Sequence, residues 1–150
     1  MVASGHDLLC PSAQADQAGA VAFGVVGGTA EAPRVAYLRR HLPVIPALLA
    51  LSEPVKPTEV FRFAAPCAET ACQHFEANSC TLAAKIGRLK AGTDYGVPAC
   101  GIRPRCRWWR QEGVSACQRC PTVVTTAFGA SSEMRQAADP TWRTSAAARD

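Results

Sequence analysis

Seven of the eight cysteines in this chain fall between Cys67 and Cys120, and this crowding constrains the fold more than any other feature of the sequence. One histidine, His74, lies among them, so the segment contains eight soft ligands, enough for two four-ligand metal sites. The series reads Cys67-x4-Cys72-x-His74-x5-Cys80, then Cys100-x5-Cys106-x10-Cys117-x2-Cys120-Pro121. The short spacing at its end is typical of zinc and iron–sulfur sites.

An even number of cysteines also occurs in small secreted domains, where disulfides replace a hydrophobic core. The first residues show no basic segment followed by an apolar one and do not resemble a signal peptide, so we expect a cytoplasmic protein with reduced thiols. A disulfide between Cys117 and Cys120 would also remove little chain entropy. Metal ligation is the favoured interpretation, with disulfides or redox-active thiols as the alternative.

The predicted metal ligands follow from the spacing. They are Cys72, Cys80, Cys100, Cys106, Cys117 and Cys120, then Cys67 and His74. The role of Cys10, far from this series, stays open. Zinc ribbons use two Cys-x2-Cys chelates and this chain has one, whereas iron–sulfur clusters tolerate irregular spacing. We therefore expect one or two 4Fe-4S clusters, with zinc as the alternative.

The net charge of +4 lies in the half of the chain that contains the cysteines. Four basic residues surround the pair Trp108-Trp109, and they are Arg103, Arg105, Arg107 and Arg110. Basic and aromatic side chains together can contact nucleic acid. The other interpretation, which we favour, is a solvated flank that offsets the negative charge of metal-bound thiolates.

The pattern of apolar residues predicts an α+β fold in which a small β-hairpin and short-helix part packs on an irregular, metal-stapled, cysteine-rich helical module. The predicted boundaries are 1–19 for a flexible arm, 20–66 for the hairpin part, 67–125 for the cysteine-rich module and 126–150 for a mobile tail, with 20–125 forming one compact domain. No apolar run is long enough to span a membrane, so no membrane partner is expected.

Within the hairpin part, the predicted strands are 21–26 and 34–38, followed by a short helix over 46–51. A further strand over 59–63 places Phe61 and Phe63 on one face, which we expect to pack under the cysteine-rich module. In that module, one helix begins after Cys80 and a second covers 106–112. The amino terminus of the first helix would lower the pKa of the Cys80 thiol.

Four short motifs carry a resemblance to a known group of proteins. They are Cys72-Gln73-His74, Cys106-Arg107-Trp108, Gln111-Glu112-Gly113 and Cys117-Gln118-Arg119-Cys120-Pro121. With them the chain resembles small bacterial cysteine-rich proteins of iron–sulfur type. The resemblance reaches back to Gly27-Gly28-Thr29 and implies a coherent family, but no particular activity.

The expected function is that of an iron–sulfur protein which transfers electrons, or delivers a cluster, to a partner redox or biosynthetic enzyme. A zinc-stapled binding module, with nucleic acid as a possible ligand, and a redox sensor are the alternatives. Catalysis is not favoured, because the sequence contains no nucleophile motif, no paired carboxylates and no complete zinc-deaminase pattern around His74 and Glu76.

Overall fold

The structure, a computed structural model, describes residues 8–90, 96–126 and 129–142. It combines an antiparallel sheet with short helices, which confirms the predicted α+β class. None of the helices in the described ranges is both long and apolar enough to cross a membrane.

Four strands form the main sheet, in the order β1-β4-β2-β3 with every pair antiparallel. Their bounds are Leu9–Ala13 for β1, Val21–Gly28 for β2, Pro33–Pro43 for β3 and Phe61–Pro66 for β4. The predicted hairpin is confirmed as β2 and β3. Gly28 makes its tight turn possible: its φ is +75°, and a Cβ atom there would clash with the Ala32 carbonyl oxygen.

Short helices and a second, two-stranded sheet complete the fold. The helices are α1 (Pro46–Ala50), α2 (Pro57–Val60), α3 (Thr81–Ile86), α4 (Arg107–Glu112), α5 (Val114–Cys117) and α6 (Ser132–Ala138), and the small sheet pairs β5 (Phe75–Glu76) with β6 (Ser79–Cys80). The predicted helices after Pro46, Cys80 and Cys106 are therefore confirmed, although each is short. Helices of this length depend on tertiary packing for their stability.

The two faces of β4 pack against different hydrophobic cores, because alternate side chains of a strand point in opposite directions. Phe61 and Phe63 pack with Leu48 of α1 on one face. Ala64 points to the other face, where the larger core contains Trp108 and several cysteines. The prediction that Phe61 and Phe63 lie under the cysteine-rich module is wrong, because the alternating pattern defines two faces without showing which layer covers each.

Both chain ends contain more structure than we predicted. Within the supposed arm over 1–19, Leu9–Ala13 forms an edge strand paired with β4, because β4 offers it a row of backbone partners that the sequence does not reveal. Within the supposed tail over 126–150, α6 buries Ala137, and the buried amine of Lys85 donates to the carbonyl oxygens of Asp139 (2.7 Å) and Trp142 (3.0 Å). Residues 1–7 and 143–150 lie outside the described ranges.

Candidate metal centres

The eight cysteines fall into two groups of four, and each group lines its own cavity. The first cysteine site consists of Cys10, Cys67, Cys72 and Cys80. The second cysteine site consists of Cys100, Cys106, Cys117 and Cys120. None of the eight forms a disulfide. The first cavity has a volume of about 360 Å³ and the second a volume of about 20 Å³, so the second is much the smaller.

The first cysteine site collects its thiols from four different elements. Cys10 lies in β1 and pairs in register with Ala65 of β4. Cys67 follows the end of β4, and its amide donates to the carbonyl oxygen of Leu8 at 2.8 Å, which brings both chain segments together. Cys72 follows a short 3₁₀ turn, and Cys80 is the residue before α3. Strand pairing therefore joins Cys10 to cysteines more than fifty positions away.

The second cysteine site is more local. Cys100 lies in the loop before a 3₁₀ turn, Cys106 precedes α4, Cys117 ends α5 and Cys120 begins another 3₁₀ turn. Gly101 allows this loop to pack on the edge of the sheet, because a Cβ atom there would lie 3.1 Å from the Arg39 carbonyl oxygen of β3.

The two cysteine sites are neighbours that share their walls. Cys10 lines the first cavity while the next residue, Pro11, lines the second. Conversely, Cys106 lines the second cavity while Arg107 lines the first. A parallel bridge between Leu9 and Cys106 holds these two segments side by side. Any movement of charge at one site therefore occurs close to the other.

Protein N–H groups point at sulfur in both sites. In the first cysteine site, the amide of His74 donates to Cys72 Sγ and the amide of Ala83 to Cys80 Sγ, both at 3.4 Å. In the second cysteine site, the donors are guanidinium groups: Arg62 Nη2 to Cys120 Sγ at 3.4 Å and Arg103 Nη2 to Cys117 Sγ at 3.6 Å. Donors of this kind stabilise the anionic, metal-binding form of a thiol.

Burial works against that anionic form when the thiols are free. It raises the pKa of Cys10 and of Cys106 to about 12 from the ordinary 9.0, and it also raises the pKa of Cys100 and of Cys117. For Cys80, burial likewise raises the pKa, although the amides of Ala83 and Leu82 partly oppose it. The predicted lowering of the Cys80 pKa by the helix is therefore wrong, since burial outweighs the amides. A bound metal would supply the missing positive charge.

Six residues that line the two cavities carry a buried side-chain nitrogen or oxygen without a hydrogen-bond partner in the described part of the chain. These atoms are Tyr37 Oη, Arg103 Nε and Trp108 Nε1 in residues of the second cavity, and His74 Nδ1, Arg107 Nε and Thr125 Oγ1 in residues of the first. Buried polar groups are normally paired, because an unpaired one costs about 1–3 kcal/mol. Five of the six carry a hydrogen to donate. A group rich in acceptors at each site would satisfy those donors that it reaches.

The hydroxyl of Tyr37 lies near the sulfur of Cys120 without an aligned hydrogen bond between them. Burial, and after it the neighbouring Cys120, raise the pKa of this tyrosine, so the hydroxyl keeps its proton at neutral pH. It is therefore available as a donor to an acceptor at the second cysteine site.

The structure places all of the predicted ligands on the two cavity walls and adds one that we did not assign. Cys10 completes the first cysteine site, so each site has four thiols without a histidine. His74 lines the first cavity as well, and burial followed by the charge of Lys85 lowers its pKa. The signal available in the sequence was the count itself, because eight cysteines divide into two sets of four.

The arginines around Trp108 and Trp109 do not form one surface. Arg107 is buried, forms an ion pair with Glu69 at 3.1 Å and stacks over Phe75 at 5.3 Å. Arg103 stacks over Trp109 at 5.3 Å beside the second cavity. Arg105 and Arg110 are exposed. A nucleic acid at this surface would therefore meet Arg105 and Arg110 and not the buried Arg107.

No three His, Cys, Asp or Glu side chains within the described ranges converge as ligands do around a single metal ion. Comparison with protein-family models, with curated proteins and with solved structures gives no match for this chain.

Proposed function

We propose that this protein is a small iron–sulfur protein with one 4Fe-4S cluster at each cysteine site, and that it carries electrons to and from partner proteins. The observation that carries the proposal is the division of the eight cysteines into two sets of four around two adjacent cavities. Four cysteine thiolates are the usual ligand set of such a cluster. When bound, a cluster of this type accepts and releases single electrons.

The unpartnered donors support an acceptor-rich occupant. Cluster sulfides and thiolate sulfurs accept hydrogen bonds, and such bonds are among the factors that set the reduction potential. Trp108 and Tyr37 line the second cavity and Arg107 lines the first, and each has an unpartnered donor, which is Nε1, Oη and Nε respectively. An electron-rich cluster would turn these unsatisfied groups into stabilising contacts.

A four-iron cluster does not require the four sulfurs of a site to converge on one point, because each thiolate binds a different iron. Zinc does require it, since all four Zn–S bonds of about 2.3 Å meet at one ion. The second cavity holds only about 20 Å³, so its walls would have to move apart to admit a cluster.

Electron transfer is favoured over catalysis by the ligand count. Four thiolates at each site would be enough to bind all four irons of a cluster and would leave none of them open for a substrate. The shared walls, where Cys10-Pro11 and Cys106-Arg107 pass between the sites, suit electron exchange between them. A protein partner, such as a redox or biosynthetic enzyme in a reducing compartment, would supply and take up the electrons. The second candidate function of the same cysteine sites is delivery of a cluster to such an enzyme.

The test is chemical analysis of protein purified without oxygen. We expect about eight iron and eight sulfide per chain, four of each for every cluster. A double variant, Cys117→Ser with Cys120→Ser, should keep the first site alone and therefore half of the iron. Colourless wild-type protein that contains zinc and no iron would refute the proposal in favour of a zinc-stapled module.

A further inference from the structure

Arg62 of β4 is a charged side chain in the interior of the protein. It is fully buried, and within the described residues no carboxylate lies at ion-pair distance from it. Its guanidinium donates to the Pro11 carbonyl oxygen (3.2 and 2.8 Å), to the carbonyl oxygens of Cys120 (3.0 Å) and Val123 (2.6 Å), and to Cys120 Sγ (3.4 Å). All of its nitrogens are therefore held in one orientation, with one of them aimed at a sulfur.

Carbonyl oxygens and aromatic rings compensate a buried positive charge only in part. The guanidinium lies 5.1 Å from the ring centre of Phe23 and 5.8 Å from that of Trp108, and both rings attract cations through their faces. These are dipoles and quadrupoles, and a buried cation still lacks a counter-charge of full strength. The cysteine sulfur at 3.4 Å is the contact that can supply one, because a metal-bound thiolate is an anion.

Arginine is charged at every physiological pH. The positive charge at the second cysteine site is therefore permanent.

The first cysteine site has no equivalent. Its sulfurs receive their hydrogen bonds from neutral backbone amides, those of His74 and Ala83. The arginine on its wall, Arg107, is paired with Glu69. The buried Lys85 donates to two carbonyl oxygens and lies near the carboxylate of Asp139. Guanidinium contacts to sulfur are confined, in the described part of the chain, to the second cysteine site.

We propose that Arg62 is the built-in counter-cation of the second cysteine site and selectively raises the reduction potential of the centre bound there. This inference rests on the proposed iron–sulfur function. Reduction adds one electron, and therefore one negative charge, to the centre. A fixed cation at contact distance from a ligand sulfur stabilises the reduced form more than the oxidised form. Burial of the site lowers the reduction potential, because it disfavours the added negative charge. Removal of the Arg62 charge alone therefore separates the effect of the cation from that of burial.

The experiment is a redox titration of anaerobically purified holoprotein with dithionite as the one-electron donor, followed by electron paramagnetic resonance. The proteins are wild type, Arg62→Met, Arg62→Gln and Arg62→Lys. A Cys72→Ser variant, in which the second centre alone should remain, assigns each signal. Exposed Arg39→Met is the control for an overall change in charge.

In Arg62→Met and Arg62→Gln we expect the second centre to become at least tenfold harder to reduce, which is a fall of 59 mV or more for one electron. The reduction potential of the first centre should stay unchanged. In Arg62→Lys, the potential of the second centre should fall by less than about 59 mV, because lysine keeps the charge. Equal shifts at both centres, or none, would overturn the inference. Wild-type protein without iron would instead refute the proposed function.

If the neutral variants lose the second centre, its potential cannot be measured, and the iron content of each variant becomes the readout. If both neutral variants lose it while Arg62→Lys keeps it, the charge is required and the inference is supported. If Arg62→Lys loses it as well, the shape of the guanidinium and not its charge is what the site needs, and the inference is overturned.

Discussion

Gln111 and Cys80 exchange two hydrogen bonds: the Cys80 amide donates to Gln111 Oε1, and Gln111 Nε2 donates to the Cys80 carbonyl oxygen, both at 2.9 Å. Gln111 belongs to α4, which begins beside Cys106 of the second cysteine site, whereas Cys80 is a ligand candidate of the first. One side-chain amide therefore ties the backbones of the two sites together.

Gln111→Ala should destabilise the protein by about 1–3 kcal/mol, because it leaves the amide of the buried Cys80 unpaired and removes one of the bonds to its carbonyl oxygen. Urea unfolding followed by circular dichroism measures this change. The matched control is Gln118→Ala at a half-buried position, where we expect a change within about 0.5 kcal/mol. Equal effects of the two substitutions would show that the exchange with Cys80 adds no stability.

Cys10→Ser should remove the iron of the first cysteine site and leave that of the second, so the iron content per chain falls by half. The reason is that Cys10 supplies the fourth thiol to Cys67, Cys72 and Cys80. His74→Ala, at the same cavity, should keep the full iron content. Metal analysis after anaerobic purification checks both. Loss of iron in His74→Ala with none in Cys10→Ser would mean that the histidine is the fourth ligand.

Trp108→Ala should cost about 3–5 kcal/mol of stability, because this ring is 1% exposed and forms a wall of the second cavity against Arg62. The neighbouring Trp109 is half-buried and stacks on Arg103, so Trp109→Ala should cost much less. Chemical denaturation of the two variants without metal gives the comparison. Similar losses would contradict the assigned difference in packing.

The metal-free protein should lose stability as the pH rises from 9 towards 12. Cys10 and Cys106 have a pKa of about 12 in the fold against 9.0 in an unfolded chain, so the folded state holds protons that the unfolded state has lost. The stabilisation is complete below pH 9 and declines above it, by up to about 1.4 kcal/mol per pH unit for each thiol.

Urea unfolding at several pH values measures that slope, and Cys10→Ser provides the control. Lysines and tyrosines also titrate in this range, so the informative quantity is the difference between variant and wild type. The slope should be shallower in the variant by the contribution of one thiol. An unchanged slope would show that Cys10 is accessible enough to ionise in the fold.

Local features of the chain could be predicted well. The hairpin of β2 and β3 follows from two β-branched runs around glycines, α3 follows from an apolar period after Cys80, and the end of α4 follows from Gly113. Contacts between distant segments could not. The pairing of β1 with β4, and the choice of which face of β4 meets the cysteine-rich module, depend on backbone partners and packing layers that no local pattern encodes.

The sequence by itself determined the chemistry of the candidate sites, because eight cysteines with these spacings are soft ligands wherever they lie. Only the tertiary structure decided their grouping. Spacing can join Cys117 to Cys120, since only two residues separate them, but strand pairing alone brings Cys10 to Cys67. The same pairing turns Arg62 towards Cys120, since in a strand each side chain points opposite to its neighbours and the fold chooses which layer it meets.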